Sequence, residues 1–351
     1  MSCYQGNLLD NPNTAKTSEL FTSSTELTVG SSGMQGWRME MEDAHVSVDM
    51  PSKPNHTFVA VFDGHGGDGA AKFAGERLVS TLERTSEWTE YLEGGSADPH
   101  LLGRAMSEAF MQLDVALRAR QAADNVDSSG CTSVTAMITP THIVCANAGD
   151  SRCVLGTNGM AKAMSEDHKP TDDGEKKRIE AAGGRVQWKR VDGDLAVSRA
   201  FGDFQYKSRD DLGPKDQKVT CDPDIAVHER TPEDELLVLA CDGLWDVVSS
   251  EEAAKTVREI FAEGCSNMII IAEELLDIAL KKGSKDNVSA VVVRLPGATV
   301  NPPKSDSKFV RMAKEREASM ASIDGANKGE NLSASGKLFQ RLTSMRSGEE
   351  A

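Results

Sequence analysis

Phe62-Asp63-Gly64-His65-Gly66-Gly67 closes the apolar run Thr57-Phe58-Val59-Ala60-Val61. The run is short, β-branched and aromatic, and it stops at a carboxylate and glycines, as a buried strand does. Asp-Gly after a strand is by itself a turn signal. The histidine two residues past the aspartate changes the weighting. A carboxylate and an imidazole at one strand end, on a glycine-loosened loop, can meet a bound ion and a leaving group together.

The arrangement recurs along the chain. Leu237-Val238-Leu239-Ala240-Cys241-Asp242-Gly243 is a second apolar strand ending in Asp-Gly. Asp150 follows the strand that begins at His142, and Asp286 precedes the strand Ser289 to Val293. Four strand-end aspartates can converge at one edge of a sandwich. Without a cation they would repel one another strongly, and carboxylate and carbonyl oxygens are what hard cations prefer. A further segment, Gly36-Trp37-Arg38-Met39-Glu40-Met41-Glu42-Asp43, puts Arg38, Glu40 and Glu42 on one face if it is a strand. That face reads either as a cross-strand salt-bridge face or as an arginine fork beside a ligand carboxylate.

Around these stretches the strand signals cluster and the helix signals come in pairs. Further strands are expected at Ser133 to Ile138 and His142 to Ala146. Helices are expected over Ala70 to Leu82, Leu101 to Leu117, from a capping Ser250, and over Asn267 to Leu280. There is no regular strand-helix alternation, which argues against a Rossmann-type parallel sheet. The expectation is an α+β fold: a central antiparallel β-sandwich flanked by pairs of antiparallel helices, four layers in the order αββα.

The 351 residues carry a formal net charge of −16, a surface that repels nucleic acid and anionic membranes. Seven cysteines with no Cys-x-x-Cys pair indicate neither a disulfide framework nor a zinc site, and a reducing compartment fits. The polar N-terminus lacks a signal-peptide run, and no apolar stretch exceeds strand length, so no membrane insertion is expected. Residues 1–24 read as a flexible lead-in, 25–296 as the main folded domain and 297–351 as an extension, partly disordered or helical. The extension holds nine Lys and Arg against seven Asp and Glu, so the acidity belongs to the domain. Leu338, Phe339, Leu342 and Met345 offer it one short apolar face.

Eight ordered blocks resemble the type 2C family of metal-dependent protein phosphatases. They are Gly36-Trp37-Arg38 through His45, Asp63 through Gly67, Ser129 through Thr132, Gly149 through Arg152, Asp167 through Pro170, Leu195 through Asp203, Asp242 through Asp246, and Asp286-Asn287. They span about residues 27 to 294, and in this order they are far more specific than any single Asp-Gly. The resemblance implies a serine/threonine phosphatase that hydrolyses phosphate monoesters with a water activated at a binuclear Mn²⁺ or Mg²⁺ centre. It makes Asp63 the bridging ligand, with Asp242 and Asp286 on one ion, and Glu42 and the Gly64 carbonyl on the other. Asp150 would hold a weaker third ion with Asp242, Asp246 would assist through water, and Asp43 would orient metal-bound water. Arg38 would bind the phosphate and His65 would protonate the leaving oxygen.

The resemblance also implies phosphoprotein substrates; a monomer is expected, and the reducing compartment is read as the cytoplasm, with the nucleus as the alternative. Asp167 through Pro170 is expected to be a structural turn, Gly183-Gly184 to end a helix from Asp173, Val191 through Asp194 to be a hairpin turn, and Trp37 and Trp245 to be core. A catalytically inert scaffold of the same fold is the competing reading. It is disfavoured because Arg38, Glu42, Asp63, His65, Asp242 and Asp286 are all present. A calcium sensor is weaker still, since the aspartates are scattered over strand ends rather than gathered in one loop.

Overall fold

The computed structural model describes residues 8–94, 98–124 and 127–326. The chain divides into two compact units, Met1–Pro302 and Pro303–Ala351. In the second unit Lys308–Ala326 forms a helix, and the apolar face expected at Leu338 to Met345 lies outside the described residues.

The first unit is built on two sheets. One contains β1 (Leu8–Thr22), β2 (Thr28–Arg38), β9 (Arg152–Thr157), β10 (Met160–Ala163), β15 (Asp234–Ala240) and β16 (Val288–Arg294), in the order β1-β2-β16-β15-β9-β10. The other contains β3 (Ala44–Met50), β4 (Lys53–Phe62), β7 (Ser133–Ile138), β8 (His142–Ala148) and β14 (Asp224–Glu229), in the order β14-β8-β7-β4-β3. A small third sheet joins β5 (Gly64–His65), β6 (Gly130–Cys131) and β13 (Phe201–Gly202), with β6 central. β11 (Val186–Gln187) and β12 (Arg190–Val191) make a hairpin. All these strand pairings are antiparallel.

The two large sheets bury β-branched and aliphatic side chains between them, among them Val59, Val61, Val134, Leu237, Leu239, Val291 and Val293. The second sheet is covered by α1 (Gly69–Leu82), α2 (Ser86–Glu93) and α3 (Pro99–Asp124), whose Leu78, Leu82, Trp88, Leu102, Met106 and Phe110 meet Phe58 and Phe62. The first sheet is covered by α6 (Ser250–Ala262) and α7 (Met268–Lys281). These are the four expected layers. Gly30 of β2 lies against the Met268 backbone, so a side chain there would push α7 off the sheet. α7 begins where the Asn267 side chain accepts the amides of Ile269 and Ile270. α6 is capped by Ser249, one residue ahead of the expected Ser250. Between β10 and β14 run α4 (Asp173–Ala181) and the β11–β12 hairpin, which enclose a small core of Ile179, Val191, Val197, Ala200, Tyr206 and Val219. α5 (Asp242–Trp245) is a single turn, and the helix of the second unit is α8.

The structure departs from the expectations at several points. Most of the expected lead-in is β1, which pairs with β2 from Leu8↔Arg38 to Thr22↔Thr28. Its sequence is polar because it is an edge strand with many exposed positions, held by backbone pairing and by the contacts of Lys16 with Asp277 and Ser18 with Glu273. At the other end Leu295 and Gly297 still donate to the carbonyls of Glu235 and Asp234. β2 stops at Arg38, so Arg38, Glu40 and Glu42 do not share a strand face. Gly36, at φ 65°, passes close to the Asp286 carbonyl, and Asn287 captures the carbonyls of Gln35 and Glu40 and bends the chain. Gly183 and Gly184 end α4 as expected, their amides donating to Glu180 and Ile179. Asp192-Gly193-Asp194 is a tight turn, closed by paired backbone bonds between Val191 and Leu195.

Candidate active site

Both Asp-Gly pairs are close approaches rather than hairpin turns. A Cβ on Gly64 would meet the backbone carbonyl of Glu42, and one on Gly243 would meet the carbonyl of Asn287 and the side chain of Asp286. Each missing side chain therefore lets a second carboxylate-bearing segment cross the end of a strand. Asp63 leaves β4, Asp150 follows β8, Asp242 follows β15 and Asp286 precedes β16, so two sheets feed one edge. Carboxylate oxygens of Asp63, Asp150 and Asp242 lie within 4.8 Å of one another. Atoms of Asp43, Asp63 and Cys241 are gathered equally closely.

The electrostatics of this edge are those of a site short of positive charge. Burial, then the charges of Asp242, Asp43, Asp286 and Asp150, push the Asp63 carboxyl well above the ordinary range. Asp242 rises for the same reasons, burial first and then Asp150, Asp286 and Asp246, against a partial offset from Lys169. Burial lifts Asp43 to about 7, helped by Asp286 and Glu42, and burial also raises Asp246. Asp150 accepts from Lys169 Nζ at 2.6 Å through Oδ2, while its buried Oδ1 has no hydrogen-bond partner. An orphaned buried carboxylate oxygen beside mutually repelling oxygen donors fits hard divalent cations.

Arg38 stands at this edge, half exposed, its Nη2 donating to Asp286 Oδ2 at 2.6 Å. Glu42 accepts the Gly67 amide at 2.5 Å, and its own amide donates to Asn287 Oδ1 at 2.9 Å. His65 Nε2 lies 2.7 Å from Asp203 Oδ2. Burial alone would lower the imidazole, but the Asp203 charge and hydrogen bond outweigh it and raise its pKa. The expected residues thus come together: Asp63, Asp150 and Asp242 in direct proximity, Asp286 through Arg38, and Glu42 against Gly64.

Three participants lie in blocks that the sequence marked but to which it gave no role in the site. Asn287 ties the Arg38 and Glu42 segments to β16. Lys169 reaches Asp150 from a stretch expected to be only a turn; its neighbours do serve as structure, Asp167 gripping Arg152 and His168 accepting the Gly149 amide. Asp203 binds His65 across 138 residues of sequence, a pairing that no local spacing announces. Trp37 is also different from expectation. Trp245 is buried, its Nε1 donating to the Ala240 carbonyl, but Trp37 is only partly buried and lies under Lys285 Nζ at 3.7 Å.

Clustered acids that need cations, with an arginine and a histidine at the rim, suit a charged ester of phosphoric acid, and the class is that of metal-dependent phosphohydrolases. The family model for Protein phosphatase 2C matches residues 27–288, and the chain belongs to that family. Protein phosphatase 1B of Mus musculus is 38% identical over 323 residues, 90% of this chain and 81% of the mouse protein. Protein phosphatase 2C homolog 2 of Schizosaccharomyces pombe is 42% identical over 278 residues, 75% of this chain and 72% of its own. A solved serine-threonine phosphatase 2C from Toxoplasma gondii superposes with a TM-score of 0.69 at 25% identity, covering 80% of this chain and 99% of that one. The protein is a serine/threonine protein phosphatase of a metal-dependent family.

Proposed function

We propose that this phosphatase binds two Mn²⁺ or Mg²⁺ ions at the sandwich edge and hydrolyses phosphoserine and phosphothreonine in protein substrates as a monomer. Asp63, Asp242 and Asp286 would hold one ion, and Asp63, Glu42 and the Gly64 carbonyl the other. Asp150 with Asp242 would take a weaker third ion, with Asp246 assisting through water and Asp43 orienting water at the centre. Bound there, the ions supply Lewis-acid activation of a water and neutralise the phosphate. The observation that carries this reading is the approach of Asp63, Asp150 and Asp242 to within 4.8 Å, with an unpartnered oxygen on Asp150.

The chain's own residues do the rest. Arg38 offers its guanidinium to the phosphate oxygens from the rim, steadied by Asp286. As the water oxygen bonds to phosphorus and the ester bond breaks, the electron pair leaves on the serine or threonine oxygen. His65 gives that oxygen its proton. Turnover of a phosphothreonine peptide with Mn²⁺ or Mg²⁺, against the same reaction in EDTA, tests the proposal. Activity that disappears with chelator and returns with metal supports it; turnover that persists without divalent ions sinks it.

A further inference from the structure

The small three-stranded sheet has one construction that the mechanism above leaves unused. On central β6, Gly130 pairs with His65 of β5 on one side and with Gly202 of β13 on the other. The next residue, Asp203, adopts a left-handed backbone at φ 53°, and its carboxylate reaches across Gly130 to His65 Nε2. A Cβ on Gly130 would strike both Asp203 Oδ2 and His65 Nε2. The glycine therefore leaves the gap through which the two side chains meet. A non-glycine residue in that backbone region persists only where its surroundings hold it. Here they do: Gly202 N donates to Asp114 Oδ1 at 2.9 Å, and Lys207 Nζ joins Asp114 to the Ala200 carbonyl. Asp203 is 3% exposed, so its bond to the imidazole is shielded from water, while the His65 side chain is still 30% exposed.

We propose that Asp203 is a positioning residue for His65. Its carboxylate accepts the Nε2–H, fixes the ring plane, and leaves Nδ1 as the nitrogen that carries the proton to the leaving oxygen. The inference rests on His65 being the proton donor, and the experiment separates the two claims. Kinetics are measured in saturating Mn²⁺ on a phosphothreonine peptide, whose alkoxide needs a proton, and on p-nitrophenyl phosphate, whose phenolate leaves without one.

The readout is the ratio of the two kcat values. D203A lowers the peptide-to-nitrophenyl ratio by about 10- to 100-fold, less than the roughly 10²- to 10⁴-fold of losing a general acid outright, because the imidazole itself remains. H65A lowers it at least as far, and H65A/D203A lowers it no further than H65A alone. D203N, isosteric and at ease in left-handed backbone, shows the same split at smaller size and keeps the test open if D203A does not fold. G130A, which alters neither side chain, shifts the ratio in the same direction. Equal loss on both substrates in D203A and D203N, or a Asp203 effect that persists on the H65A background, overturns the proposal. An unchanged ratio in H65A overturns it too, but by showing that His65 is not the donor.

Discussion

Two groups of buried acids in this molecule live under opposite conditions. At the sandwich edge Asp43, Asp63 and Asp242 are pushed upward by burial and by neighbouring carboxylates. On α4 Glu175 is also buried, and burial alone would raise it. The hydrogen bond from Arg199, with the charges of Arg178 and Arg199, instead brings it down to about 2. Asp114 likewise receives Lys207 Nζ at 2.9 Å on both oxygens. The second group is finished within the chain and works as structure. The first has only a partial offset from Lys169, so its instability is the mark of a binding site.

The largest expected effect breaks the first group. D63N should lower kcat by about a thousandfold or more, as loss of a principal electrostatic element does. In EDTA its melting temperature should equal or exceed that of the native sequence, because one repelling charge is gone. Mn²⁺ should raise the melting point of the native protein and leave D63N nearly unmoved. A D63N protein with native turnover would remove Asp63 from the site.

Breaking the second group should cost stability first. D114A takes the counter-charge from Lys207, a residue 7% exposed, and leaves its ammonium only the Ala200 carbonyl. It should lose about 3–5 kcal/mol in urea unfolding, the usual cost of an uncompensated buried charge. A loss under 1 kcal/mol would mean that the ammonium reaches water.

Acid sharpens the contrast. Glu175 titrates near 2 when folded and near 4.5 when unfolded, so its contribution is complete above about 4.5 and fades as pH falls from there toward 2. The stability gap between the native protein and E175Q should therefore narrow between pH 5 and pH 3. A gap that widens in acid would contradict the Arg178–Glu175–Arg199 arrangement. At the small end, the exposed Lys255–Glu259 pair on α6 should give K255A a change of no more than about 0.5 kcal/mol.

What the sequence disclosed follows from the range of the forces involved. Strand ends, helix faces and the four aspartates were legible because apolar runs and Asp-Gly pairs are local signals. β1 was not, since its backbone bonds to β2 carry a strand that has little apolar periodicity. The short α2 escaped notice, with only Trp88 and Tyr91 buried. Asp203, Lys169 and Asn287 owe their roles to partners on distant segments, a relation that exists only after folding. The purpose of Gly64 and Gly243 was hidden for the same reason: each makes room for a strand end that arrives from elsewhere.

The pairing of β2 with β16 carries a consequence for how the chain is made. Thr28 to Met34 must meet Arg294 to Val288, near opposite ends of the first unit. On a ribosome adding 5–20 residues per second, the β1–β2 hairpin waits on the order of tens of seconds for its central neighbour. During that time the inner edge of β2 offers unpaired amides and carbonyls to any other strand. Catalytic competence, which needs Asp286 just ahead of β16, should emerge late in renaturation, after most of the helical circular dichroism has returned.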